Sequence, residues 1–260
     1  MTDDKPSPAR MYDYFLGGTH HLPVDRAAAA RVNELVPYTR EIVWENRHFL
    51  RRAVRYLAKH GIRQFIDIGA GLPTQGNVHE IAQDVAPDAR VVYVDNDRTV
   101  LDQADQLLTE IDGAIILGAD VRQPRSIVDS PRLREFLDLD QPVAVLMIAV
   151  LHFITDDHHP QFIADTIRDA MAPGSFLVLT HLTTDGPDPA AVARTVEVYR
   201  QASAPIVFRP RETIERYFTG LELVAPGLVR PSRWRPDPTT APGPGWLYAG
   251  VATKRTHDTP

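Results

Sequence analysis

Apolar residues fall into two rhythms along this chain, and the alternation between them predicts the architecture. Short runs at Gln64–Ile68, Arg90–Asp95, Ala114–Gly118, 142–148 and 175–180 are β-rich and nearly continuous in apolar character, with helix-period segments between them. Strands of that kind are covered on both faces, and crossovers between consecutive strands make a parallel sheet. Two further runs, 221–224 and 246–252, are joined by a proline-rich stretch with no room for a helix, which predicts an antiparallel final pair. Ahead of the sheet, 41–60 carries the clearest helical period. Ile42, Val43, Asn46, Phe49, Leu50, Ala53, Val54 and Leu57 share one stripe, and Gly61 stands where the helix should stop. Arg47, Arg51 and Arg55 recur at every fourth position on the other side and read as a solvated face.

Composition narrows the class. At 260 residues, 43% hydrophobic and 24% charged, the chain suits one globular domain with an appendage, divided here as an N-terminal helical extension over 1–60 and a sheet domain over 61–260. The absence of cysteine removes disulfides, thiol nucleophiles and iron–sulfur ligation. A net charge of -6 makes a nucleic-acid partner unlike this chain. The longest apolar run, 143–151, is far short of the ~20 residues that span a bilayer, and residues 1–10 lack a signal-peptide core, so no membrane association and a cytoplasmic location are expected.

Candidate chemistry gathers at strand ends, where open α/β sheets bind ligands. After the first strand, Asp67-Ile-Gly-Ala-Gly71 turns toward a helix, with Gly69 and Gly71 allowing a tight turn and a close backbone approach to a ligand. The plainer alternative is a turn and nothing more. The dinucleotide pattern G-x-G-x-x-G fails, because Thr74 stands three residues after Gly71 and Pro73 interrupts the turn. Asp67, inside a buried strand, needs donors, and the N–H groups of the glycine turn are the expected ones. After the second strand, Asp95 is placed to accept both hydroxyls of a ribose, while Asn96 and Asp97 read as caps of the next helix. After the third, Asp120 and the backbone at Val121 are placed to read an adenine edge. Two histidine clusters, His20-His21 and the one within 156–159, invite a metal. Neighbours on one backbone rarely share an ion, no metal site is expected, and Thr155, Asp156 and Asp157 read as an N-cap with acids complementing the helix dipole.

Asp67-Ile-Gly-Ala-Gly71, Asp95 and Ala119-Asp-Val121 resemble the successive motifs of class I S-adenosylmethionine-dependent methyltransferases. Arg10-Met-Tyr-Asp-Tyr-Phe-Leu-Gly-Gly18, the segment 45–55, Phe65 through Glu80, Tyr93-Val-Asp-Asn-Asp97 and Met171-Ala-Pro-Gly-Ser175 are more specifically similar to a bacterial, largely actinobacterial, family first catalogued as a domain of unknown function and named for the S-adenosyl methyltransferase fold. The resemblance covers nearly the whole chain. It implies a Rossmann-like, seven-stranded, mostly parallel sheet with an antiparallel last strand, helices on both faces, and S-adenosylmethionine as cofactor. Leu72-Pro73 stands where many such enzymes carry a third glycine, so the methionine part of the cofactor would be held differently.

By that resemblance Asp67, Gly69, Gly71, Asp95, Asn96, Asp120, Val121 and Ala149 would form the cofactor site, with Arg47 meeting the cofactor carboxylate. Tyr14, Gly17 and Gly18 would form a cover, Tyr14 or Tyr12 packing on the cofactor. Ala149-Val-Leu-His-Phe153 would line the transfer site, with His152 the candidate base against the alternative of a structurally satisfied histidine, and His181 a second candidate. The expected function is direct methyl transfer to a small-molecule acceptor, in the setting of secondary metabolism, with 183–216 as the wall of the acceptor pocket. Two alternatives stay open: a non-catalytic regulator or sensor that binds S-adenosylmethionine or S-adenosylhomocysteine, and a nicotinamide-dependent oxidoreductase, which wants the phosphate turn that Pro73 and Thr74 fail to supply.

Overall fold

The computed structural model describes residues 5–72 and 76–255. Three helices lead in: α1 (Pro8–Leu16), α2 (Pro23–Leu35) and α3 (Thr39–Lys59). Strands β1 (Gln64–Ile68), β2 (Arg90–Asp95), β3 (Ala114–Gly118), β4 (Ala144–Ile148) and β5 (Phe176–Leu182) coincide closely with the five apolar runs. Between them lie α4 (Val78–Gln83) after β1, α5 (Arg98–Leu108) after β2, α6 (Pro124–Val128) and α7 (Pro131–Phe136) after β3, and α8 (Pro160–Ala170) after β4. Beyond β5 come α9 (Pro189–Tyr199), α10 (Arg211–Arg216), the two-residue β6 (Glu222–Leu223) and β7 (Leu247–Thr253).

The seven strands run in the order β3-β2-β1-β4-β5-β7-β6. The first five are parallel, and β7 lies antiparallel between β5 and β6. Phe65 of β1 pairs with Val91 on one side and Ala144 on the other, so the winding reverses between β1 and β4. Successive residues of a strand face opposite layers. Phe65 and Val91 accordingly pack with Phe49, Leu50, Ala53, Val54 and Leu57 of α3. Ile66, Val92 and Val145 pack on the other face with Ile127, Ile163 and Ile167. Both faces are covered, which is why the strand runs show no alternation.

The helical stripe read over 41–60 is the buried face of α3, so this helix is built into the sheet core. In contrast, α1 and α2 share a third cluster with α9, in which Met11, Phe15 and Val32 meet Ala191, Tyr199 and Trp246. A buried ion pair ties the first two helices together. Arg10 Nε donates to Asp25 Oδ2 at 2.6 Å, and the same carboxylate accepts the backbone N–H groups of Ser7 at 2.8 Å and Leu22 at 2.7 Å.

The proline-rich connection before β7 is held more firmly than its composition suggests. Trp234 is fully buried, edge-on to Phe49 at 5.4 Å and Tyr56 at 5.5 Å between ring centroids. Arg52 of α3 donates to the carbonyls of Trp234 and Pro231 at 3.1 and 2.7 Å, and Ser232 N–H donates to Glu45 Oε1 at 2.9 Å. The loop is thus clamped along α3. Trp234→Ala is expected to destabilise the protein by about 3–5 kcal/mol, read as a lowered urea midpoint.

Candidate functional site

A cavity of about 270 Å³ opens at the carboxyl ends of β1 to β4, where the winding reverses. Gly69 and Gly71 both sit in the left-handed region, at φ +70° and +64°, for different reasons. A Cβ at Gly69 would lie 2.5 Å from Val150 Cγ2, so this glycine lets β1 and the chain after β4 approach each other. A Cβ at Gly71 would meet nothing within 4 Å among the described residues. There the backbone borders open cavity, as a ligand cradle requires.

Asp95 is fixed by Gly71 N–H to Oδ2 and Asp97 N–H to Oδ1, both at 2.9 Å, with the Asn96 N–H as a further donor. Three donors leave the carboxylate acceptor capacity for a ligand hydroxyl. Burial pushes its pKa up, against the pull of those N–H groups. Asp97 caps α5 through Thr99 N–H at 2.9 Å, whereas Asn96 lines the cavity and hydrogen-bonds to Asp120 instead of capping.

At the end of β3, Asp120 is gripped by Arg122, whose Nε lies 3.0 Å from Oδ1 and Nη2 2.5 Å from Oδ2. Burial disfavours the charged carboxylate, but the Arg122 hydrogen bonds and charge outweigh it and hold the pKa below its usual value. Val121 lines the cavity beside it.

The fold agrees with the comparisons to known proteins. The sequence model described as S-adenosyl methyltransferase matches residues 1–255. The chain belongs to that family. Its sheet is that of the class I methyltransferases, and the cofactor of the family is S-adenosylmethionine. A candidate methyltransferase from Thermobifida fusca YX is 40% identical, with a TM-score of 0.91 over 97% of this chain and 96% of its own. A DUF574 family protein from Streptomyces avermitilis MA-4680 is 39% identical, with a TM-score of 0.92 over 97% of this chain and 98% of its own. Human N-acetylserotonin methyltransferase, solved with S-adenosylmethionine, shares the fold at 14% identity, with a TM-score of 0.53 over 94% of this chain and 62% of its own. No curated protein sequence matches the chain.

In this methyltransferase the donors expected for Asp67 go elsewhere. Gly69 and Ala70 N–H donate to the Val94 carbonyl at 2.8 and 3.2 Å, and Gly71 N–H goes to Asp95. Asp67 is left buried on the cavity wall, its pKa raised to about 7 by burial, with the Arg47 charge opposing and Asp95 adding to the rise. Arg47 is therefore not part of a uniformly solvated face: it is half-buried and lines the cavity, whereas Arg51 is exposed. Pro73 and Thr74 lie outside the described residues.

One face of α1, with Pro8, Tyr12, Asp13 and Leu16, closes the cavity from above. Tyr14 and Gly17, expected in that cover, do not line it. Two residues turn a helix by roughly 200°, so Tyr14 points away from Tyr12 and packs against His21 at 5.1 Å between centroids. Gly17 closes α1, its N–H donating to the Tyr14 carbonyl at 3.1 Å. His20 and His21 turn toward Asp13: the His20 N–H donates to Oδ2 at 2.9 Å and His21 Nδ1 lies 3.2 Å from it. Asp156 stands in the first turn of the short 3-10 helix Asp156–His158, behind its N-cap Thr155, and also pairs with buried Arg209 at 2.6 Å. Arg209 also donates to His181 Nε2 at 2.9 Å, while His181 Nδ1 meets the Leu182 carbonyl at 2.6 Å. Burial lowers the His181 pKa to about 3. Both nitrogens are occupied, and this histidine lines neither chamber.

A second, apolar chamber of about 80 Å³ adjoins the first through Pro8, Tyr12, Ala149 and Phe153. Thr195, Tyr199, Ile206 and Phe208, from the segment 183–216, form one side, and Trp246 and Val43 contribute to the other. His152 lines it. Leu182 N–H approaches His152 Nδ1 at 3.4 Å, occupying the lone pair there and placing the ring proton on Nε2. Burial, then His181 and Arg209, hold its pKa well below the usual histidine range, so the ring is neutral.

Two outcomes test this geometry. Gly71→Ala should cost only about 1 kcal/mol of stability, from its left-handed backbone, yet weaken cofactor binding. Gly69→Ala should cost more stability because Val150 must also move, and paired thermal melts and titrations separate the two. Asp67→Asn should raise the unfolding midpoint of the ligand-free protein at pH 8 by the equivalent of a few kcal/mol, since a pKa raised from 3.8 to about 7 means the native state resists the charge that the unfolded chain accepts. That gain should shrink as pH falls below 7 and vanish below about 4, where Asp67 is protonated in both states.

Proposed function

We propose that the protein transfers a methyl group directly from S-adenosylmethionine to a small organic acceptor. The observation that carries this reading is the pair of adjoining chambers, one walled by strand-end carboxylates and the glycine turn, the other apolar, meeting at Tyr12, Ala149 and Phe153. When bound, the cofactor supplies an electrophilic methyl group on a sulfonium. Asp95 would accept the ribose hydroxyls, Gly71 would pass beside the methionine part, Asp120, Asn96 and Val121 would border the adenine, and Arg47 would face the carboxylate. Asp67 would act through the charge it shares with Arg47 and Asp95. The helices of residues 1–60 supply the cover through α1 and the floor through α3. Ala149 and Phe153 stand at the junction, where excluding water and holding the acceptor in line supply the rate. His152, neutral with its proton on Nε2, is assigned a positioning role toward the acceptor rather than proton removal.

A small acceptor follows from the size of the second chamber and from the net charge of -6, which opposes a nucleic-acid strand. No described helix is long and apolar enough to cross a membrane, and a cytoplasmic role in secondary metabolism fits this reading. A binding-only regulator would need no acceptor-sized space beside the cofactor, and the apolar chamber favours the enzyme. Calorimetric titration with S-adenosylmethionine and S-adenosylhomocysteine should show micromolar or tighter binding of both, weakened at least tenfold by Asp95→Ala. Absence of both from wild-type protein, or thermal protection by NAD alone, would overturn the proposal.

A further inference from the structure

We infer that the acceptor is a compact, uncharged, single-ring molecule whose hydroxyl or N–H group is held by Asn46 Oδ1 in the apolar chamber. The inference rests on the methyl-transfer reading for the word acceptor, but the chemistry of the chamber stands on its own observations. Asn46 is 2% exposed, and its Oδ1 has no hydrogen-bond partner among the described residues. Tyr12 decides which way the amide faces. Its hydroxyl lies 3.3 Å from the Val43 carbonyl and donates to it, so toward Asn46 it can only accept, taking a proton from Nδ2 at 3.0 Å. Oδ1 is thereby turned to the side without a protein donor. A buried amide oxygen left unpaired is costly, and a ligand that supplies the donor recovers that cost.

The other polar lining groups are already committed or indifferent. Thr39 donates to the Val36 carbonyl at 2.6 Å, Thr195 to the Ala191 carbonyl at 2.8 Å, and Trp246 Nε1 to Tyr38 at 3.2 Å. The Tyr199 hydroxyl can donate or accept and so selects no ligand polarity. An amide oxygen can only accept, and His152 Nε2–H can only donate. The chamber therefore asks for one donor and rewards a nearby lone pair. It offers no counter-charge: the His152 ring is neutral and burial pushes the Tyr12 and Tyr199 phenols up, so an ionised ligand would lose its hydration without compensation. The walls are aromatic, with Phe153, Phe208 and Trp246, and the volume of about 80 Å³ limits the occupant to about one ring.

Phenol, toluene and benzoate test this as probes of equal ring size, by ligand-observed NMR titration of the protein both free and saturated with S-adenosylhomocysteine. Phenol should bind at least tenfold more tightly than toluene, and benzoate should not bind in the millimolar range. Asn46→Leu, with the same number of side-chain heavy atoms and no polar group, should abolish or invert the preference for phenol. The inference is overturned if toluene binds wild-type protein as well as phenol does, if benzoate competes with phenol, if none of the three binds, or if Asn46→Leu keeps the preference. Should that variant fail to fold, the wild-type comparison decides alone. Failure of S-adenosylhomocysteine to bind counts against methyl transfer, while the phenol and toluene comparison in the free protein still decides what the chamber takes.

Discussion

A parallel sheet that reverses its winding must leave a gap where two neighbouring crossovers depart to opposite faces, and the candidate site of this protein is arranged around that gap. Between β1 and β4 the chain turns away on both sides, so the loops after four strands converge without filling the space. Asp95 holds the opening in shape. By accepting Gly71 N–H on one oxygen and Asp97 N–H on the other, it ties the loop after β1 to the start of α5. The same carboxylate is then both a brace and a ligand-facing group, which is economical but couples stability to binding.

Charge sets what this gap can hold. Asp13, Asp67, Asp95, Asp97 and Asp120 line it, against Arg47 and Arg122, and Arg122 is held by Asp120. A pyrophosphate would meet carboxylates where it needs donors, whereas a sulfonium nucleoside carries positive charge into an acidic surround. That balance separates methyltransferase from dinucleotide chemistry more directly than the glycine spacing does. Asp67, with a pKa near 7, is the point where the balance is closest to tipping.

The five central strands were legible because a strand buried on both faces leaves a continuous apolar run, and Asp95, Gly71 and Asp120 were legible because strand ends announce themselves. What escaped depended on three-dimensional partners. Tyr12 and Tyr14 are chemically alike, and only the phase of α1 decides that Tyr12 faces the cavity. Arg122 and Arg209 are two among many arginines, distinguished by what they reach: Asp120 in one case, His181 and Asp156 in the other. Proline content correctly marked the stretch before β7 as a loop but hid its clamp on α3 through Trp234. Asn46 lay in plain view, a lone amide in the apolar stripe of α3, yet its meaning required the Tyr12 hydroxyl beside it.

The Arg10–Asp25 pair gives the first two helices a shared fate. Because Asp25 also gathers the N–H groups that precede α1 and α2, neither helix can lift away without stranding a buried charge. Both chambers lie under α1. The roof over both chambers is therefore one braced plate of two helices rather than a loose flap.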